Sequence, residues 1–128
     1  MCYTKIVTKK NKKYKRYNIY KEDTKMAVVK LTTDNFEQEV IQAQQPVLVD
    51  FYADWCGPCQ MLKPVIEQIS EEAEHTKIVK INIDEEPQLA GMFQVMSIPT
   101  LVYMQNGSIQ GSVSGYHSLG QIKSWIGE

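Results

Sequence analysis

Cysteine and histidine are scarce in this chain, which has three cysteines and two histidines in 128 residues. Only Cys56 and Cys59 lie close together, and Cys2, His75 and His117 are far from them in sequence. A structural zinc site needs about four ligands, usually from a second close pair, so we expect no metal site. A purely structural disulfide is also disfavoured, because the Cys56–Cys59 bond closes only a short loop and constrains the unfolded chain little.

Long apolar runs are absent as well. The N-terminal region contains no apolar stretch of about 7–15 residues, the length that a signal peptide requires, and no small-residue cleavage site after one. Nothing in the chain resembles a membrane-spanning segment of about 20 apolar residues. We therefore expect neither export nor membrane association, and we expect a cytoplasmic location.

Charge is unevenly distributed, although the formal net charge is only −1. Residues 1–25 contain nine basic and two acidic residues, a balance of +7, whereas the rest of the chain contains five basic and 13 acidic residues, a balance of −8. Residues 9–20 show neither alternation nor helical periodicity, so we predict that residues 1–25 form a disordered extension. Residues 26–128 then form the single domain that a hydrophobic content of 43% supports.

Three accounts of the extension are open. It is an arm that binds nucleic acid or another anionic surface, a solvated segment without a task, or the result of a start site placed too early, with Met26 as the true first residue. Clusters of charge without interleaved structure are usually just solvated, so we favour the last two accounts and do not expect nucleic-acid binding. Binding through residues 5–16 would show as a steep salt dependence that is lost on deleting residues 1–25.

From Met26 onward, strand-like and helix-like segments alternate, which is typical of an α/β domain. The pattern predicts the order β-α-β-α-β-α-β-β-α, with Asn106-Gly107 as the turn of a hairpin near the end. Five strands are predicted, at residues 28–31, 47–53, 77–83, 100–104 and 109–113.

The first two helices lie on either side of the strand at 47–53. The first is predicted from Thr33 or Asp34 to about Ala43, with Asp34 and Glu37 at capping-box spacing. The second follows the cysteines and contains Pro64, which we expect to kink it. Its buried stripe is predicted to consist of Leu62, Val65, Ile66, Ile69 and Ala73.

The two later helices are shorter. One begins at Pro87, after the acidic residues 84–86 that suit the positive end of a helix. The other begins at Ser118, with Gln121 three residues later as a second capping box. This last helix is predicted to bury Leu119, Ile122 and Ile126.

The segment Trp55-Cys56-Gly57-Pro58-Cys59 follows an apolar strand and opens a helix. Two thiols one helical turn apart in this position indicate a dithiol/disulfide redox couple. Cys56 lies at the helix N-terminus, where unpaired backbone N–H groups and the helix dipole favour negative charge, so it is the expected thiolate. Gly57 and Pro58 add no positive charge that would stabilise the reduced form further, which favours a reductant.

Asp50 is the one carboxylate in the strand at 47–53. Burial of an unpaired carboxylate there is costly and raises its pKa toward neutrality, where a proton-transfer group is useful. The alternative is that Asp50 points outward at a bulge.

These motifs together resemble the thioredoxin family. The resemblance rests on residues 51–59, Asp50 before them, Pro64 after them and Ile98-Pro99-Thr100 downstream, and it covers about residues 28–127. It implies a thioredoxin fold, in which helices flank both faces of a central mixed β-sheet and Pro99 faces the cysteines through a cis peptide.

The resemblance also implies roles for individual residues. Cys56 attacks a protein disulfide as the nucleophile, Cys59, less exposed on the helix, resolves the mixed disulfide, and Asp50 takes the Cys59 proton. A lysine at the place of Lys80 lies near Asp50 in the family, although Lys80 taken alone is equally consistent with a solvated strand residue. Substrate is expected to dock on an apolar rim and to pair with the Ile98 backbone as an added strand. This docking rim consists of Trp55, Gly57, Pro58, Ile98, Pro99 and Gly115.

The implied function is general protein-disulfide reduction that maintains cell redox homeostasis. The protein is expected to be a monomer without a bound cofactor, to receive electrons from a thioredoxin reductase and to pass them to disulfide-containing proteins. The alternative is a redox-independent binding or stabilising subunit that uses the docking rim, which would not need both cysteines and Asp50. Tyr52, Gln60 and Ser114 depart from the commonest family pattern, which leaves the chemistry intact and bears on partner preference.

Overall fold

A five-stranded mixed sheet is the centre of the domain. The computed structural model describes residues 9–11, 14–15 and 28–128. The predicted disorder of residues 1–25 falls mainly outside these ranges and stays a prediction. Two short strands, β1 (Lys9–Asn11) and β2 (Tyr14–Lys15), pair antiparallel with each other. The main sheet consists of β3 (Val29–Lys30), β4 (Val47–Tyr52), β5 (Lys77–Asn82), β6 (Thr100–Gln105) and β7 (Ser108–Ser114).

The strand order β3-β5-β4-β6-β7 places β4 in the middle of the sheet. Strand β4 runs parallel to β5 and antiparallel to β6, while β5 is also parallel to β3 and β6 antiparallel to β7. The first five residues of β4 are buried, as expected of a central strand whose two faces are both covered. This mixed sheet confirms the predicted fold class.

Helices cover both faces of the sheet. They are α1 (Gly57–Glu72), α2 (Pro87–Met92) and α3 (Leu119–Ile126), together with a short π-helix, Glu37–Ile41. On one face, the π-helix and α2 contribute Val40 and Leu89 to a core that includes Phe51. On the other face, α1 and α3 pack against Leu48, Ile78 and Leu101 through Leu62, Ile66, Ile69 and Ile122.

The segment before the π-helix differs from the prediction. The capping box of Asp34 and Glu37 is wrong, because Asn35 Oδ1 accepts a hydrogen bond at 2.7 Å from the backbone N–H three residues earlier. Phe36 precedes the π-helix. Its side chain makes no hydrogen bond with the free N–H groups in the first turn of that helix. The Gln42 N–H donates to Glu37 O at 2.9 Å, five residues back. The helix therefore begins later than predicted, at Glu37, and it is shorter and, as a π-helix, wider than the predicted α-helix.

Helix α1 is continuous through Pro64. Its predicted apolar stripe is confirmed, since Leu62, Ile66 and Ile69 are buried and Val65 is partly buried. The kink expected at Pro64 stays a prediction.

The capping box of α3 is confirmed. Ser118 Oγ accepts a hydrogen bond from Gln121 N at 3.2 Å, and Ser118 N donates to Gln121 Oε1 at 2.9 Å. The helix buries Ile122 and Ile126, whereas Leu119 is only partly buried. Gly127 ends the helix with φ of 78°, a left-handed conformation that glycine adopts without a steric penalty.

Glu128 connects the end of α3 to the loop before β5 through hydrogen bonds. Its carboxylate accepts hydrogen bonds of 2.9, 3.0 and 2.9 Å from the backbone N–H groups of Glu74, His75 and Thr76. Glu128→Ala leaves these three donors without their charged acceptor, so we expect a loss of about 1–2 kcal/mol in the free energy of unfolding. Urea unfolding measures this loss, with Glu74→Ala as the matched control. Equal unfolding midpoints for the two variants would contradict it.

Candidate active site

The cysteine pair lies where β4 leads into α1. Cys56 is the N-cap residue of α1, and its Sγ accepts a hydrogen bond from Cys59 N at 3.2 Å. The two residues are joined by a disulfide, with their Cα atoms 5.2 Å apart. This backbone N–H and the positive end of the α1 dipole both favour negative charge at the position of Cys56 Sγ.

Both cysteines are buried in the disulfide form. Each is 5% exposed, so the expectation that Cys59 is less exposed than Cys56 is wrong for this state. The disulfide holds the sulfur atoms side by side against Ala53 and the partly buried side chains of Tyr52 and Ile98. Cys56 Sγ also lies 3.9 Å from Ile98 O.

The residues of the docking rim meet around Cys56. The Ile98–Pro99 peptide is cis, as the resemblance implied. Pro99 O accepts a hydrogen bond from Gly115 N at 2.8 Å, and this bond joins the two loops of the rim. Gly115 has φ of +89°, a left-handed conformation that favours glycine.

Trp55 is the most prominent side chain on the exposed side of the docking rim. It is 70% exposed, and its indole N–H donates to Asp84 Oδ2 at 2.8 Å. The sequence indicated Asp84 only as part of an acidic run before α2, because a hydrogen bond between loops 29 residues apart leaves no local pattern. The indole is therefore fixed at its polar edge while its apolar faces stay accessible.

Two methionines lie exposed along the chain just before Ile98. Met92 is 67% exposed and Met96 is 93% exposed. Met96 lines a shallow groove together with Ile83, and Ile83 itself packs against the cysteine cluster. The apolar surface beside the docking rim thus includes flexible thioether side chains.

Asp50 lies in the central strand behind the cysteines. It is 6% exposed, and its Oδ1 has no hydrogen-bond partner among the described residues. The predicted burial is confirmed, and the outward-pointing alternative is wrong. Burial raises the Asp50 pKa to about 7, and the positive charge of Lys80 offsets part of that rise.

A cavity of about 100 Å³ joins Asp50 to Cys59. Its lining also includes Tyr52 and Lys80 from the sheet. Lys80 stands opposite Asp50 in the parallel pairing of β4 and β5, so the two side chains share one face of the sheet. From the loop after β4 and from α1, the charged lining residues are Asp54, Lys63 and Glu67. We call this space the Asp50 cavity.

Among residues 28–128, no three histidine, cysteine or acidic side chains cluster as metal ligands. No helix of the described part of the chain has the length and apolarity to cross a membrane.

A disulfide at the start of a helix, a buried carboxylate behind it and a mixed sheet with helices on both faces together define a thiol–disulfide oxidoreductase. A family model described as Thioredoxin matches residues 27–128. The chain belongs to the thioredoxin family.

Individual relatives agree with this assignment. The thioredoxin of Rickettsia bellii is 42% identical over 97 residues, which cover 75% of this chain and 92% of the relative. The thioredoxin of Porphyra purpurea is 47% identical over 91 residues, which cover 70% and 85%. The thioredoxin of Streptomyces clavuligerus is 46% identical over 85 residues, which cover 66% and 79%. The chain is accordingly a protein-disulfide reductase that cycles between a dithiol and the Cys56–Cys59 disulfide.

Proposed function

We propose that Cys56 is the attacking thiolate of this reductase. Its Sγ attacks one sulfur of a substrate disulfide, the substrate S–S bond breaks, and the departing sulfur leaves as a thiolate. The product is a mixed disulfide between Cys56 and the substrate. The observation that carries this assignment is the position of Cys56 at the N-cap of α1, where the Cys59 N–H points at its Sγ.

Cys59 then resolves the mixed disulfide. Its thiolate attacks Cys56 Sγ, forms the intramolecular disulfide and releases the second substrate sulfur as a thiolate. Two electrons pass to the substrate, and the protein is left oxidised. The support for this step is that the disulfide already joins two residues in one helical turn, so the attack needs no rearrangement of α1.

Asp50 is the group that takes the proton from the Cys59 thiol. Cys59 and Asp50 line the same cavity, and the pKa of about 7 makes the carboxylate a usable base near neutral pH. Lys80 is the electrostatic partner of Asp50, because its charge favours the ionised carboxylate.

Substrate docks on Trp55, Gly57, Pro58, Ile98, Pro99 and Gly115. The exposed apolar faces of Trp55 give contact area that depends little on substrate sequence. A backbone carbonyl 3.9 Å from Cys56 Sγ suits an extended substrate chain that pairs with Ile98 as an added strand.

The partners of this reaction follow from its chemistry. A reductant that ends each cycle as a disulfide needs an electron donor, for which we propose a thioredoxin reductase. We propose that the protein acts as a monomer, and that it acts in the cytoplasm, where thiols are kept reduced. For residues 1–25 we propose no part in catalysis.

Insulin reduction with dithiothreitol as the electron source tests this proposal. We expect the full chain and a chain that starts at Met26 to accelerate precipitation of the insulin B chain equally over dithiothreitol alone. Slower precipitation with the truncated chain would show that residues 1–25 contribute to the reaction. No acceleration by the full chain would contradict reductase activity and favour the redox-independent binding subunit.

A further inference from the structure

Lys80 places a positive charge near Asp50 without an ion pair. Within residues 28–128, Lys30, Lys77 and Lys123 each form a salt bridge with a glutamate, whereas Lys80 forms none with a carboxylate. The two side chains nevertheless share the Asp50 cavity and stand opposite each other on adjacent strands. A contact ion pair would hold the carboxylate ionised and make it a weak base, so this separation matters for proton transfer.

The Tyr52 ring is the group that Lys80 contacts instead. Lys80 Nζ lies 5.6 Å from the ring centroid, within the range of a cation–π interaction. Burial raises the pKa of the Tyr52 phenol, so the ring stays neutral and keeps its electron-rich face at physiological pH. Tyr52 is two residues from Asp50 in β4, and the two side chains therefore point to the same side of the sheet.

A lysine side chain loses rotamer entropy when its position is fixed, and its ammonium group is strongly hydrated. Without an attractive surface inside the cavity, its favoured position is in solvent. We propose that Tyr52 is a positioning residue whose ring holds the Lys80 ammonium beside the Asp50 cavity and so sets the pH at which Asp50 accepts the Cys59 proton. This inference rests on the proposed role of Asp50.

Other charged groups also face Asp50, and none of them is changed in the variants described below. The lining of the Asp50 cavity includes Asp54 on the loop after β4 and Lys63 and Glu67 on α1. Strand β6 presents only Leu101 opposite Asp50. Farther out, Lys30 and Glu85 act on Tyr52. Because all of these remain in every variant below, differences among the variants report on Tyr52 and Lys80.

The test is a carbon-13 NMR titration of the Asp50 carboxyl carbon in the oxidised full chain, with Asp50→Asn to assign the signal. Lys80→Gln is expected to raise the titration midpoint by about one pH unit. Tyr52→Leu is expected to raise it by at least half as much, because the ammonium moves into solvent. Tyr52→Phe keeps the ring face and is expected to leave the midpoint unchanged.

A second step separates the loss of the ring contact from a change in the burial of Asp50. In the Lys80→Gln background, Tyr52→Leu is expected to produce no further shift, since no ammonium remains to be held. The proposal is overturned if Tyr52→Leu shifts the titration midpoint equally in the wild-type and Lys80→Gln backgrounds. It is also overturned if Tyr52→Leu in the wild-type background leaves the midpoint unchanged or lowers it. If Tyr52→Leu does not fold, Tyr52→Met replaces it as the ring-free variant.

The same variants distinguish failure of this inference from failure of the proposed function. The rate of mixed-disulfide resolution, measured against pH in single turnovers, is expected to shift with the NMR midpoint. If the Asp50→Asn variant resolves the mixed disulfide at the wild-type rate at every pH, Asp50 is not the proton acceptor and both proposals fail. If Asp50→Asn is slow and the Tyr52 variants do not shift, only the role of Tyr52 fails.

Discussion

Cys56→Ser is expected to reduce insulin reduction to the rate of dithiothreitol alone, whereas Cys59→Ser is expected to form a stable mixed disulfide with substrate. The first change removes the thiolate that we propose as the attacking group, and the serine hydroxyl that replaces it does not exchange with disulfides. The second change leaves the attack intact and removes the sulfur that releases the product. Cys56→Ser is thus expected to block formation of the mixed disulfide, and Cys59→Ser to block its resolution.

Turbidity and mass spectrometry check this prediction together. Turbidity gives the rate of insulin reduction with dithiothreitol. Intact-mass analysis detects the adduct in a separate quenched reaction of the pre-reduced variant with insulin, run without dithiothreitol because that dithiol would reduce the mixed disulfide. Cys2→Ser is the matched control, since it removes the third cysteine without touching the pair, and it is expected to keep full activity. An adduct on Cys56→Ser, or catalysis by that variant above the background, would contradict the assigned order of attack.

Asp50→Asn is expected to change how the stability of the oxidised protein depends on pH. The carboxyl has a pKa of about 7 in the folded protein, against its ordinary value of 3.8 in the unfolded chain. Because the folded pKa is raised, the folded protein binds more protons than the unfolded chain between these values. Stability is therefore lost as pH rises from about 4 to about 7, by about 4 kcal/mol in total. Asparagine does not titrate and removes this loss.

Urea unfolding of the two oxidised proteins at a series of pH values measures this effect. The difference in unfolding free energy between variant and wild type is expected to grow by about 4 kcal/mol in favour of the variant from pH 4 to pH 8. Using the difference cancels the opposite pH dependence of Glu72 and Glu128, whose pKa values are lowered. Asp34→Asn, at an exposed position that does not line the Asp50 cavity, is the control. Parallel stability curves for Asp50→Asn and wild type would contradict the prediction.

Local patterns in the sequence were sufficient for most of the fold. The apolar run of β4, the capping box at Ser118 and the Asn106-Gly107 turn are interactions between residues close in sequence, and each is present in the structure. The first helix was predicted less well. Asp34, Asn35 and Glu37 all suit a helix start, and in the structure it is Asn35 whose side chain accepts a backbone hydrogen bond there.

The parts of the active site that could be predicted are those in which the residue type and its sequence position favour one chemical role over the others. The Cys56–Cys59 spacing and a lone carboxylate in an apolar strand belong to that class. The equal burial of the two cysteines and the contact between Lys80 and Tyr52 were not predicted, because both depend on which side chains from separate strands and loops meet. No periodicity along the chain carries that information.

The exposed methionines beside the docking rim make the protein sensitive to oxidants in a second way. Peroxide converts a thioether into a polar, chiral sulfoxide, and Met96, at 93% exposure, is open to it. Such damage would make the apolar surface beside the proposed docking rim more polar while leaving both reactive sulfur atoms able to exchange. Dithiothreitol does not repair it, since sulfoxides are restored by dedicated reductases. A protein aged in this way would still undergo reduction and oxidation and yet would be poor at finding its targets.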